Sequence, residues 1–106
     1  MPTASVEQVA DDAFLLDVRE EDEWTAGHIP GAVHVPMMEI PARSDEVPDD
    51  RDVVVVCRVG SRSAQVVAYL RQNGWDRVIN LDGGMAAWDA AGRPMVNEDG
   101  GAPHVA

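Results

Sequence analysis

A chain of 106 residues fits one domain and leaves no room for two, and its 45% hydrophobic content is enough for a core, which excludes wholesale disorder. Eight basic residues against 19 acidic ones give a formal net charge of −11, and all eight are arginines. No clustered basic footprint for nucleic acid is visible, a surface this acidic repels anionic membranes, and an anionic small-molecule substrate would need a local positive spot against the global field.

Ser5 followed by Gln8 reads as a capping box opening a short helix through about Ala10. Phe14-Leu15-Leu16 reads as a buried strand ending on Asp17-Val18-Arg19. Glu20 to Ala26 suits one or two helical turns capped by Gly27, and Ile29-Pro30-Gly31 is a turn. Ala32 to Val35 is a second strand, halted by Pro36. Met37 to Ala42 is a helical turn interrupted by Pro41, and Ser44 to Asp52 is an acidic loop.

Val53-Val54-Val55-Val56 is the clearest strand. Four β-branched residues without alternation imply burial on both faces, as in a parallel sheet between helices. Ser63 to Asn73 is an amphipathic helix with Val66, Val67 and Leu70 on one stripe and Gly74 as its cap. Val78 to Leu81 is another strand, Gly83-Gly84 a tight turn, and Met85 to Ala91 a last helix. Asn97 to Ala106 reads as a frayed tail. The expected class is α/β, with a mostly parallel central sheet flanked by helices.

Cys57 is the only cysteine, so neither an internal disulfide nor a cysteine metal set is available. A reducing cytoplasm is the expected location, since the N-terminus Met1-Pro2-Thr3-Ala4-Ser5 lacks the pattern of a signal peptide and no stretch approaches the roughly 18 apolar residues of a membrane span. Ligands of open α/β sheets bind at the carboxyl ends of the strands. Cys57 sits at that end of the most buried strand, followed by Arg58-Val59-Gly60-Ser61-Arg62-Ser63 and a helix N-terminus. Unsatisfied N–H groups there, with Arg58 and Arg62, favour a thiolate; such surroundings lower a cysteine pKa from about 8.5 to roughly 3.5–7.5. An inert core cysteine is the common fate of this residue, but a core position is seldom flanked by two arginines, a glycine and two serines. As a lone exposed thiolate, Cys57 would also be prone to an intermolecular disulfide on oxidation.

Three segments resemble the rhodanese family of sulfurtransferases. The first is Leu16-Asp17-Val18-Arg19 with Glu23-Trp24-Thr25-Ala26-Gly27-His28-Ile29-Pro30-Gly31-Ala32-Val33-His34-Val35-Pro36. The second is Cys57 to Ser63, and the third is Leu81-Asp82-Gly83-Gly84-Met85-Ala86-Ala87-Trp88. The resemblance implies a single rhodanese-like domain over residues 4–95, with a short polar tail at 96–106. It further implies a Cys57 thiolate that takes a sulfane sulfur from thiosulfate or a similar anionic donor. The resulting persulfide passes its outer sulfur to cyanide, a thiol or an acceptor protein, in a ping-pong pattern without metal or organic cofactor. Residues 58 to 63 would cradle the persulfide, with Arg58, Val59, Gly60, Ser61, Arg62 and Ser63 as the substrate-binding loop.

A persulfide carrier serving a biosynthetic partner protein is the alternative. A phosphatase or arsenate reductase is disfavoured, because only four residues separate Cys57 from Arg62, a tighter loop than those folds use. With no second cysteine, an external acceptor must discharge the persulfide.

Other residues have plainer readings. Arg19 is expected in an ion pair with Asp17, Glu20 or Glu23, with a role as anion guide as the alternative. His28 reads as a hydrogen-bonded turn histidine rather than a general acid, and His34 and His104 have no partner motif. Trp24, Trp75 and Trp88 read as packing residues. Met37, Met38 and Met85 are expected in ordinary packing, with a shallow acceptor groove as the alternative.

Overall fold

The computed structural model describes residues 2–106; Met1, read above with the N-terminal segment, lies outside them. Five parallel strands form one sheet: β1 (Thr3–Ala4), β2 (Phe14–Asp17), β3 (Val33–His34), β4 (Val53–Val56) and β5 (Val78–Leu81), in the order β1-β5-β4-β2-β3. The helices are α1 (Glu21–Ala26), α2 (Ile40–Arg43), α3 (Ser61–Gln72) and α4 (Gly84–Ala90). β4 occupies the centre, pairing with β2 through Phe14–Val53 to Asp17–Val56 and with β5 through Val53–Val78 to Val55–Asn80.

Side chains alternate across a strand, so the valine run feeds two cores. Val53 and Val55 join Leu16, Val66, Val67 and Leu70 on the α3 side. Val54 and Val56 join Leu15, Leu81, Met85 and Trp88 on the α4 side. The same parity sends Cys57, one residue past the strand, to the α3 side, and it belongs to that core. The position of the thiol beneath the start of α3 therefore follows from counting residues along β4.

Several elements differ from expectation. The capping segment forms a single 3-10 turn, Val6–Gln8, with the Ser5 N–H donating to Gln8 Oε1 at 2.9 Å, and no helix continues to Ala10. β1 has no apolar run to announce it and exists by pairing with β5, Thr3 against Asn80. Pro41 does not interrupt a helix. It stands in the first turn of α2, where a missing N–H costs nothing. Helix α3 begins at Ser61, two residues early, because Gly60 takes a left-handed φ of +112° and turns the chain straight into it.

The C-terminal tail is not frayed. Val96 and His28 form an antiparallel bridge, the His104 N–H donates to the Ala26 carbonyl, and Val105 packs against the α4-side core. The tail crosses the end of α1 so closely that a Cβ on Gly27 would lie 2.5 Å from the His104 carbonyl oxygen. Close approach, not backbone dihedral, is what requires glycine there.

Candidate active site

Cys57 is fully buried, and the chain folds back over its sulfur. The Gly60 N–H donates to Sγ at 3.0 Å, and the Ser63 hydroxyl lies 3.3 Å from it. Burial opposes ionisation of the thiol. Hydrogen bonds from the Ser63 hydroxyl and from the N–H groups of Ser63, Gly60 and Val59 outweigh it, so the thiol pKa is lowered. The sequence suggests an exposed thiolate at the end of β4; the structure corrects the exposure, since Cys57 is wholly enclosed. The exposed rim consists of Arg58, Val59 and Ser61, with Val59 at 55%.

Helix α4 holds the loop from behind. The Met85 N–H donates to the Cys57 carbonyl at 2.8 Å and the Ala86 N–H to the Arg58 carbonyl at 3.0 Å. The unsatisfied N–H groups of one helix start thus fasten the two residues that begin the loop. Gly84, at φ +53°, lies against the same two carbonyls. Gly83-Gly84 is therefore the seat of the sulfur loop as well as a turn.

Asn80 in β5 is a site residue that the sequence reading did not single out. Its Oδ1 accepts from the Ser63 hydroxyl at 2.5 Å and its Nδ2 donates to the Gly60 carbonyl at 3.2 Å. The Ser63 hydroxyl carries one proton and has two acceptors, Asn80 Oδ1 and Sγ. The thiolate accepts a hydrogen bond from that hydroxyl when it turns from Asn80 to sulfur. Ser63→Ala removes the hydroxyl hydrogen bond that favours the thiolate. The expected result is a rise in the Cys57 pKa, moving the midpoint of a pH profile of iodoacetamide alkylation to higher pH. An unmoved midpoint would remove Ser63 from the account.

The two loop arginines have different fates. Arg62 makes a bidentate pair with Glu23 of α1, at 2.6 and 2.8 Å. That hydrogen-bonded pair, against some opposing desolvation, holds the Glu23 carboxyl down to about 2. Arg58 is exposed and makes no ion pair among the described residues.

A family model described as the rhodanese-like domain matches residues 3–91. The chain belongs to the rhodanese-like domain family. A sulfurtransferase of Allochromatium vinosum is 49% identical over 90 residues, covering 85% of this chain and 84% of that one. A thiosulfate sulfurtransferase of Pseudoalteromonas translucida is 33% identical over 81 residues, covering 76% and 77%. The crystal structure of a rhodanese-related protein from Thermoplasma volcanium superposes with a TM-score of 0.85 at 28% identity, covering 92% of this chain and all of that one.

In this rhodanese-like domain the remaining candidates fall outside the sulfur site. Arg19 is the largest fully buried side chain and is no anion guide. Its Nη2 meets Asp17 Oδ2 at 2.8 Å and the Gly27 carbonyl at 2.7 Å, and Nε donates to Asp17 as well. His28 donates through Nδ1 to the Trp24 carbonyl at 2.9 Å, and His34 through Nε2 to the Arg19 carbonyl at 2.7 Å. Both rings stack on Trp24, with centroids at 3.7 and 4.8 Å. Trp75 packs on the α3-side core, and Trp88 is buried on the other. Met85 is also buried in the core, whereas Met37 and Met38 line a shallow cavity of about 210 Å³ with Ile40, Pro41 and Tyr69. No helix of the described residues is long and apolar enough to cross a membrane.

Proposed function

We propose that the protein is a sulfurtransferase working through a persulfide on Cys57. The observation that carries this reading is the convergence of the Gly60 N–H and the Ser63 hydroxyl on Sγ, which favours a thiolate. Membership of the rhodanese-like family and the sulfurtransferase relatives support it.

In the first half-reaction the Cys57 thiolate attacks the sulfane sulfur of a donor, thiosulfate being the simplest. The new bond to Sγ forms as the donor's S–S bond breaks, and the leaving group, sulfite in that case, departs with the electron pair. The loop N–H groups then face the negative outer sulfur. In the second half-reaction a nucleophile such as cyanide, a thiol or an acceptor protein attacks that outer sulfur, and Cys57 returns as the thiolate. No proton transfer to carbon and no change in total oxidation state is involved, so the chemistry asks only for a poised sulfur and a cradle.

Incubation with thiosulfate, free of reducing agent, is expected to leave the protein about 32 Da heavier, the mass of one sulfur held as a cysteine persulfide. Cys57→Ser is expected to show no gain. Intact-mass spectrometry showing no adduct with any sulfane-sulfur donor would overturn the reading. Turnover with cyanide distinguishes an enzyme from a carrier that loads and transfers poorly to small acceptors.

A further inference from the structure

Of the eight arginines, Arg19, Arg43, Arg62, Arg77 and Arg93 are paired with carboxylates. Arg51 and Arg71 donate to the Asp12 and Asp76 carbonyls. Among the described residues, Arg58 alone keeps an unengaged guanidinium, and it stands on the rim of the sulfur loop. The arginine closest in role, Arg62, feels the Cys57 charge but is held by Glu23. Glu23 closes an unbroken acidic run, Glu20-Glu21-Asp22-Glu23, at the start of α1, and the first turn of that helix contains no basic residue. The thiolate, Arg58, Arg62 and Glu23 cancel formally to zero, inside a molecule of net charge −11.

We propose that Glu23 sets donor specificity at Cys57. By engaging Arg62 it leaves the sulfur loop one free cation, which favours sulfane-sulfur donors of low net charge, alkyl persulfides, over dianions of the thiosulfate kind. The proposal rests on the sulfur-transfer reading and names its substrate class. The balance with a persulfide is simple. The thiolate attacks the outer sulfur of the protonated persulfide R–S–SH, the donor's S–S bond breaks with its electron pair going to the inner sulfur, and the proton ends on the departing thiol R–SH. The enzyme keeps a deprotonated persulfide, and no oxidant or reductant is consumed. The encounter brings one negative charge together with a neutral donor. With thiosulfate it brings one together with two, in a field already negative.

The test compares the rate of Cys57 loading by thiosulfate and by cysteamine persulfide, whose ammonium balances its ionised persulfide so that the donor carries no net negative charge, and which reacts through its protonated R–S–SH form. Wild-type protein and Glu23→Gln are each measured at low and high ionic strength. Glu23 acts through Arg62, so a general loss of structure would slow both donors alike. The expected result is selective. Glu23→Gln raises kcat/KM for thiosulfate about tenfold or more, chiefly through KM, and changes the persulfide by no more than about twofold. In the wild type, added salt speeds thiosulfate loading and leaves the persulfide unaffected. If Glu23→Gln folds poorly, the wild-type salt dependence decides alone. Thiosulfate loading that slows with salt, or a variant that moves both donors equally, overturns the selectivity and leaves sulfur transfer standing. Loading by neither donor overturns both.

Discussion

Arg19→Met is expected to destabilise the domain by about 3–5 kcal/mol, the cost of stranding a buried charge. Asp17 is 2% exposed at its side chain, and Arg19 is wholly enclosed. The guanidinium also satisfies the carbonyls of Gly27 and Glu23, tying the end of β2 to the end of α1. Removing it leaves the buried Asp17 carboxylate with only the residue 19 backbone N–H as donor and takes the guanidinium donor from the Gly27 carbonyl. For a domain of this size the loss corresponds to a fall in Tm of more than about 10 °C. The double variant Asp17→Leu/Arg19→Met removes both charges and is expected to recover much of the loss, because two desolvated ions are exchanged for packing. Thermal unfolding of the two variants checks the account. A single variant as stable as the wild type would show that the pair contributes nothing.

Gly84→Ala is expected to lower the rate of Cys57 loading by about a hundredfold, the scale of a 1 Å displacement of reacting groups. The added methyl would overlap the Cys57 carbonyl oxygen and come within 2.7 Å of the Arg58 carbonyl. These carbonyls are backbone, held by the Met85 and Ala86 N–H groups, so they cannot yield without moving the loop. The left-handed φ adds roughly 1–2 kcal/mol for any residue with a Cβ. Gly92→Ala is the control, because its φ of +71° is similarly strained but nothing lies within 4 Å of its missing Cβ. It should cost stability and leave loading intact. Equal loading rates for the two variants would show that strain, and not the approach to the loop, is what matters at Gly84.

What the sequence shows of this fold is mostly local. The run Val53–Val56 declares a doubly buried strand with Cys57 at its carboxyl end, whereas the face that Cys57 joins follows only once α3 and α4 are seen on opposite sides. The loop, its glycine and the following helix are contiguous, so their chemistry can be read from neighbours. The parts that escaped depend on distant partners. Glu23 meets Arg62 across 39 residues, and nothing in either segment names the other. Asn80 sits mid-strand among apolar residues, where it reads as a strand position until Ser63 and Gly60 are seen beside it. β1 is two residues long and has no hydrophobic signature of its own. The burial of the sulfur escaped for a different reason. Polar neighbours along the chain indicate polar surroundings, but they do not reveal that the loop closes over the atom.

The tail bears on how far the domain extends. The family model ends at residue 91, but the chain beyond it lies over α1, and Glu98 accepts from the Trp24 indole N–H at 3.0 Å. α1 is six residues long, too short to persist unaided in water, and it presents the carboxylate that engages Arg62. A protein cut after residue 91 would keep the segment that the family model matches and lose the cover of the helix next to the sulfur loop. Truncation at that boundary would therefore report on donor discrimination as much as on stability. The contacts that cover α1 come from residues beyond the segment by which the family is recognised.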